Sequence, residues 1–219
     1  MKDHPAPLLS ELAYERILEA LFASRLPMGA RLTQGELAEV TQVPVGPLRD
    51  ALRILETDGV LKIHPRSGIE VIRPTTDLVR STFQFRTMIE RPAARSFARS
   101  APEAEVRRLV ALHEEAAAHF ASLEPNANVT DRLSALEDEF HPALVAALDN
   151  ELVDAAYRRL RLMAQVIKVK QVVYPRAALT SVREHMEVLA ASLARDPAAA
   201  EDAISRHLAN ALARNLGMA

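Results

Sequence analysis

The chain has 219 residues, a formal net charge of -2 at neutral pH, 49% hydrophobic and 4% aromatic residues, and no cysteine. That length suffices for one large domain or two small ones, each with its own core. The lack of cysteine excludes disulfides, thiolate-bound zinc and iron-sulfur clusters, so any metal must be held by His, Asp or Glu.

The opening MKDHPAPLLSELAYER has acidic residues where a secretory signal would place its apolar core, and no window approaches the ~18 apolar residues of a membrane span. A reducing, cytoplasmic setting is the expectation. The first 74 residues carry nine Lys or Arg against ten Asp or Glu, so no bulk basic footprint announces nucleic acid. Abundant alanine and leucine favour packed helices over a large sheet.

In chain order, the apolar stripe Leu9, Leu12, Ile17, Leu18 and Leu21 predicts a helix over 8–24, ended by Pro27 and Gly29. Thr33 and Glu36 form a capping box that opens a helix over 34–42. Pro44 and Pro47 suit a turn and the first turn of a helix, and Leu48, Ala51, Leu52 and Leu55 continue one face over 45–57. Two β-prone runs, 60–63 and 69–72, flank His64-Pro65-Arg66-Ser67-Gly68 and predict a hairpin with a basic tip. Three helices and a hairpin make a winged helix-turn-helix over residues 1–73. Arg73-Pro74-Thr75-Thr76 reads as a linker.

Residues 77–216 show no convincing strand, and 77–219 read as the second domain. Helix punctuation predicts six helices, over 77–99, 102–122, 129–148, 151–173, 177–195 and 197–215. The fold class is mainly α: an N-terminal winged helix-turn-helix followed by an all-α six-helix bundle.

A helix-turn-helix ending in a basic hairpin suits a major groove that admits one helix while the wing reaches backbone or minor groove. Residues 8–73 resemble the N-terminal domain of GntR-family regulators, through Leu37-Ala38, the run VPVGPLRDALRIL from Val43 to Leu55, and Gly59-Val60-Leu61 with Arg66-Ser67-Gly68 and Val71. The resemblance implies a DNA contact by Arg49 in the recognition helix and a wing contact by Arg66 with Gly68. The family usually has arginine where this chain has Gly35 and Val45. Two such losses are expected to weaken binding or to redirect the operator sequence that is read. Taken singly, Arg49, Arg53, Lys62 and Arg66 are also ordinary solvated charges.

Glu137 and His141 stand at i and i+4, on one helix face. His185 and His207 lie eleven residues before and after Asp196, the cap at a helical corner, so each stands ~16 Å from that corner and level with the other. Two imidazoles at one height form half a metal site. Residues 77–215 resemble the FCD domain of the FadR branch of the GntR family, through Glu137-Asp138-Glu139-Phe140-His141, Glu184-His185 and Arg206-His207-Leu208. The resemblance implies a divalent metal, often zinc, held by a carboxylate and three histidines: here Glu137, in place of the usual aspartate, with His141, His185 and His207. Asp138 is the alternative carboxylate. Three imidazoles and a carboxylate also suit nickel, manganese or iron. His4, His64, His113 and His119 match no ligand position and read as surface or helix residues.

Arg86 falls among Phe83, Phe85 and Ile89 and precedes Glu90 by four residues, which by itself reads as a structural i,i+4 pair. The resemblance implies instead a clamp for the carboxylate of an acidic effector. Tyr157, Arg161, Ala164 and Lys168 share a helix face, either lining that cavity or facing solvent. The expected protein is a homodimeric regulator, in the usual case a repressor, on double-stranded operator DNA. A small organic acid at the metal shifts its operator affinity. The rival readings are a metalloenzyme and a direct metal sensor.

Overall fold

The computed structural model describes residues 8–169 and 171–218; His4 lies outside them. The chain divides into two compact units, Met1–Thr75 with Leu162–Val169, and Thr76–Arg161 with Lys170–Ala219. The second boundary therefore falls inside a helix, not only at the proline-bearing stretch near residue 74.

The first unit runs α1 (Leu9–Phe22), β1 (Arg31–Leu32), α2 (Gln34–Thr41), α3 (Val45–Thr57), β2 (Leu61–His64) and β3 (Gly68–Val71). The Thr33 box forms as its spacing predicts: the Glu36 amide donates to Thr33 Oγ1 at 3.2 Å, and the Thr33 amide donates to Glu36 Oε2 at 2.7 Å. Gln42 closes α2 in the left-handed region, φ 57°, turning the chain into α3 within two residues. Pro47 is tolerated because first-turn amides have no intrahelical partner. α3 packs on α1, burying Leu48, Ala51, Leu52 and Leu55 with Ala13, Ile17 and Leu21. Each buried Leu or Ile contributes about 1.5–3 kcal/mol.

The wing has three strands where the hairpin pattern predicts two. β1 pairs antiparallel with β3 (Arg31 opposite Glu70), and β3 pairs with β2 (Leu61 opposite Val71), giving the order β1-β3-β2. A two-residue strand carries no readable alternation, so only the tertiary pairing reveals it.

The second unit consists of α4 (Thr76–Ser100), α5 (Glu103–Ala121), α6 (Thr130–Ala146), α7 (Glu151–Lys168, whose last turns cluster with the first unit), α8 (Pro175–Leu193) and α9 (Pro197–Asn215). α4 and α6 run unbroken through Pro92 and Pro142. Burial of their faces against α9, α8 and each other outweighs the lost hydrogen bond of each proline. α7 ends five residues before the expected 173. Val173 is held elsewhere: its carbonyl accepts from the Val129 amide at 3.0 Å and its amide donates to Thr130 Oγ1 at 2.9 Å, at the start of α6. Pro175 also biases Tyr174 away from helix.

Asp196 caps α9 through the Ala198 and Ala199 amides and makes α8 and α9 an antiparallel hairpin. One core gathers Phe97, Leu109, Phe140, Leu144, Leu189, Ile204 and Leu208 between α4, α5, α6, α8 and α9. A smaller one lies around Phe120, Leu133, Leu136 and Val182. Among the described residues no helix is long and apolar enough to cross a membrane.

Candidate metal centre

Three helices bring three histidines together. His141 of α6, His185 of α8 and His207 of α9 each offer a ring nitrogen, all within 4.8 Å of one another, and all three side chains are buried. The hairpin register anticipated from Asp196 holds: His185 Nε2 and His207 Nε2 are 3.3 Å apart. Two nitrogen ligands at ~2.0–2.1 Å on a tetrahedral ion stand about 3.3–3.4 Å apart, so this donor set fits a divalent metal.

Each ring is held from behind. His207 Nδ1 is 2.8 Å from Glu184 Oε2, and that carboxylate also accepts a bidentate pair from Arg214 (3.0 and 2.9 Å) and a bond from Asn210 at 2.9 Å. A carboxylate acceptor fixes the His207 proton on Nδ1 and turns the Nε2 lone pair towards His185. His141 Nδ1 is likewise 2.8 Å from Glu90 Oε2. His185 stacks on Phe140 at 4.1 Å with 16° between the planes, and its Nδ1 lies 3.1 Å from Nε2 of His113. Burial pushes the His207 imidazole down to about 4, against the pull of Glu184, and lowers His141 and His113 as well. The neutral form that burial favours is the form that binds metal.

Beside the histidines lies a buried ion pair. Arg86 Nε donates to Glu90 Oε1 at 2.7 Å, both residues being almost wholly buried. Tyr157 of α7 donates to the same Glu90 oxygen at 3.0 Å. Burial alone would raise the Glu90 carboxyl, but Arg86, and after it His141, hold it well below the usual carboxylate range. The i,i+4 pair is therefore present, and it is more than structural filler. Arg86 Nη2 also lies 3.2 Å from His141 Nε2 and 3.3 Å from Nδ1 of the same ring, so the guanidinium rests against the ring and not along either nitrogen's lone pair.

Glu137 sits one turn before His141, half-buried, and its charge acts on both Arg86 and His141; it is not among the three donors within 4.8 Å. Asp138 is exposed and takes Arg161 at 2.7 Å. Sequence reasoning missed three supports of the cluster. By spacing alone Glu90 reads only as a partner of Arg86, Glu184 only as a neighbour of His185, and His113 as a surface or helix residue. His113 is in fact fully buried. It lies on the apolar stripe Val106, Leu109, His113, Ala116 and Phe120 of α5, and that stripe was the available signal. His119 is exposed; His64 is half-buried, with Nε2 2.6 Å from Glu70 Oε2.

In the first unit the expected DNA contacts lie on two elements, α3 and the wing. Arg49 is exposed on α3, with Nε donating to Gln34 Oε1 at 3.4 Å. Arg66 is exposed at the wing tip with φ 69°. Gly68 has φ 98°, and a Cβ there would come within 2.6 Å of the Leu32 carbonyl oxygen. The β1-β3 pairing is thus a sufficient reason for glycine at this position.

Sequence profiles match in two places: the bacterial regulatory proteins of the gntR family over residues 9–71, and the FCD domain over 81–210. The chain is 24% identical over 207 residues to an uncharacterized HTH-type transcriptional regulator of Bacillus subtilis, YdhC, covering 94% of this chain and 89% of that protein. It is 22% identical over 205 residues to the HTH-type transcriptional repressor RspR of Escherichia coli, covering 94% and 88%. Among solved structures, McbR/YncC of E. coli superposes with a TM-score of 0.78 at 16% identity, over 97% of this chain and 99% of that one. That likeness shows the fold.

Proposed function

Because the chain belongs to the gntR family of bacterial regulatory proteins and carries an FCD domain, we propose that it is a DNA-binding transcription repressor whose operator affinity is set by a small organic acid bound at a metal. The family and the curated relatives are transcription regulators, which removes the metalloenzyme alternative. The similarity to a named repressor supports repression.

The observation that carries the effector reading is the buried three-histidine group with a guanidinium 3.2 Å from one of its donors. In this reading His141, His185 and His207 hold a divalent ion, with zinc as the first candidate beside nickel, manganese and iron, and Glu137 closes the set from one turn before His141. The ion would supply an electrophilic position for a carboxylate oxygen, and Arg86, whose Nε and Nη2 already hold Glu90, would offer its remaining N–H groups to the other oxygen. Arg49 and Arg66 contact DNA, Gly68 shapes the wing, and a homodimer in the cytoplasm presents two wings to a pseudo-palindromic operator. Ligand and operator are then coupled by linkage.

The test is a titration of zinc-loaded protein with a panel of mono- and dicarboxylic acids, followed by operator binding at fixed salt. Arg86→Met is made together with Glu90→Met, so that neither charge is left buried alone. The expected result is binding of one acid class, a change of operator affinity with it, and loss of both in the double variant at zinc concentrations that still saturate the site, since losing Glu90 weakens the hold on His141. Acid binding that persists in the double variant overturns the role of Arg86. No zinc binding to the unaltered protein overturns the metal.

The contact between the Arg86 guanidinium and the His141 ring favours a second reading, in which the ion alone is the signal because its charge repels the cation held beside it. Operator affinity that follows zinc and ignores every acid selects it.

A further inference from the structure

We infer that His113 of α5 is a positioning residue that decides which ring nitrogen of His185 faces the metal. The inference rests on the metal-site reading above.

Nδ1 of His113 lies 2.7 Å from the carbonyl oxygen of Leu109, one turn back on its own helix. A carbonyl oxygen only accepts, so this nitrogen carries a proton. Burial favours the neutral ring, and in a neutral imidazole the second nitrogen is then an acceptor. That second nitrogen, Nε2, is 3.1 Å from Nδ1 of His185. The donor in this contact is therefore Nδ1–H of His185, which leaves the His185 lone pair on Nε2. Nε2 is the nitrogen that stands 3.3 Å from His207 Nε2.

Glu184 forces the same tautomer on His207 from the opposite side. Two lone pairs facing each other at 3.3 Å repel until a cation joins them, so the two anchors build a site with a demand for positive charge. His141 and His207 are oriented by carboxylates, whereas His185 is oriented by an imidazole that draws its own polarity from a helix carbonyl. This arrangement keeps a third negative charge out of the core. Phe140 fixes the plane of the His185 ring by stacking; it cannot choose between the two nitrogens. Only a directional hydrogen bond distinguishes them.

His113→Leu removes the acceptor. His113→Gln keeps an N–H for Leu109 and an oxygen that accepts from His185. Zinc affinity is measured by chelator competition on the full chain, with thermal melts of the zinc-free proteins as the folding control. Outer-sphere partners of this kind are worth tenfold to hundredfold in metal affinity. A loss of that size is expected in the Leu variant, with most of it restored in the Gln variant. Long-range proton-nitrogen spectra of histidine-labelled, zinc-free protein read the tautomer directly. The expectation is His185 protonated at Nδ1 in the unaltered and Gln proteins and no longer solely so in the Leu protein.

His185 protonated at Nε2 in the unaltered protein overturns the inference, as does a Leu variant that binds zinc as tightly as its parent. The two readings fail separately: a protein that binds no zinc sinks the metal site, and the tautomer spectrum still decides whether His113 sets the His185 proton.

Discussion

The two units present in opposite ways the side chains proposed to act. In the winged helix, Arg49 and Arg66 project from α3 and the wing into solvent, on elements whose cores form without them. In the helical unit, Arg86, Glu90, His113, His141, His185 and His207 are inside, each bonded to another polar group. Exposed side chains are separable from stability, because changing them alters the surface alone. Buried polar groups are not separable, because every removal leaves a partner desolvated.

The contrast breaks most visibly at Glu90. Replacing it with Ala strands the Arg86 guanidinium in the core. A cost of about 3–5 kcal/mol is expected in denaturant unfolding, with the double change Arg86→Met and Glu90→Met recovering much of it. A loss under about 1 kcal/mol in the single variant sinks the view that this pair is interior structure.

Acid should act on the same unit. His207 has a folded value of about 4 against an ordinary 6.5, so between those values the unfolded chain takes up a proton that the folded one refuses. Stability of the zinc-free protein is therefore full above pH 6.5 and falls as pH drops towards 4, by on the order of 3 kcal/mol from this residue. Melts at stepped pH check the sign. Stability that rises on acidification through this window contradicts a neutral buried His207.

Gly68→Ala is the intermediate case, a backbone effect in the exposed unit. Its φ of 98° and the 2.6 Å approach to the Leu32 carbonyl predict a loss of about 1–3 kcal/mol, confined to the wing. Amide exchange in β1 and β3 should rise while zinc affinity is unchanged. The smallest stability effect belongs to Arg49→Ala, within about 0.5 kcal/mol. Its operator affinity should nevertheless fall by about 1–3 kcal/mol. A variant that melts early, or binds DNA as before, removes Arg49 from the set of readers.

The sequence by itself determined the elements and part of the site. The Thr33 box, the prolines and the leucine stripes place the helices within a few residues, because capping and periodicity are local properties. The symmetric spacing of His185 and His207 about Asp196 was enough to set two imidazoles side by side, because a helical hairpin has one register. Only the tertiary structure decided the rest. β1 exists by pairing with β3, α7 stops where Val173 bonds to the start of α6, and Glu90 serves His141 as well as Arg86. His113 looks like any residue of an apolar stripe until α5 is packed on α8 and its Nε2 meets His185. These contacts join residues 37 to 72 positions apart, a range over which helical periodicity carries no information and only packing selects the neighbour.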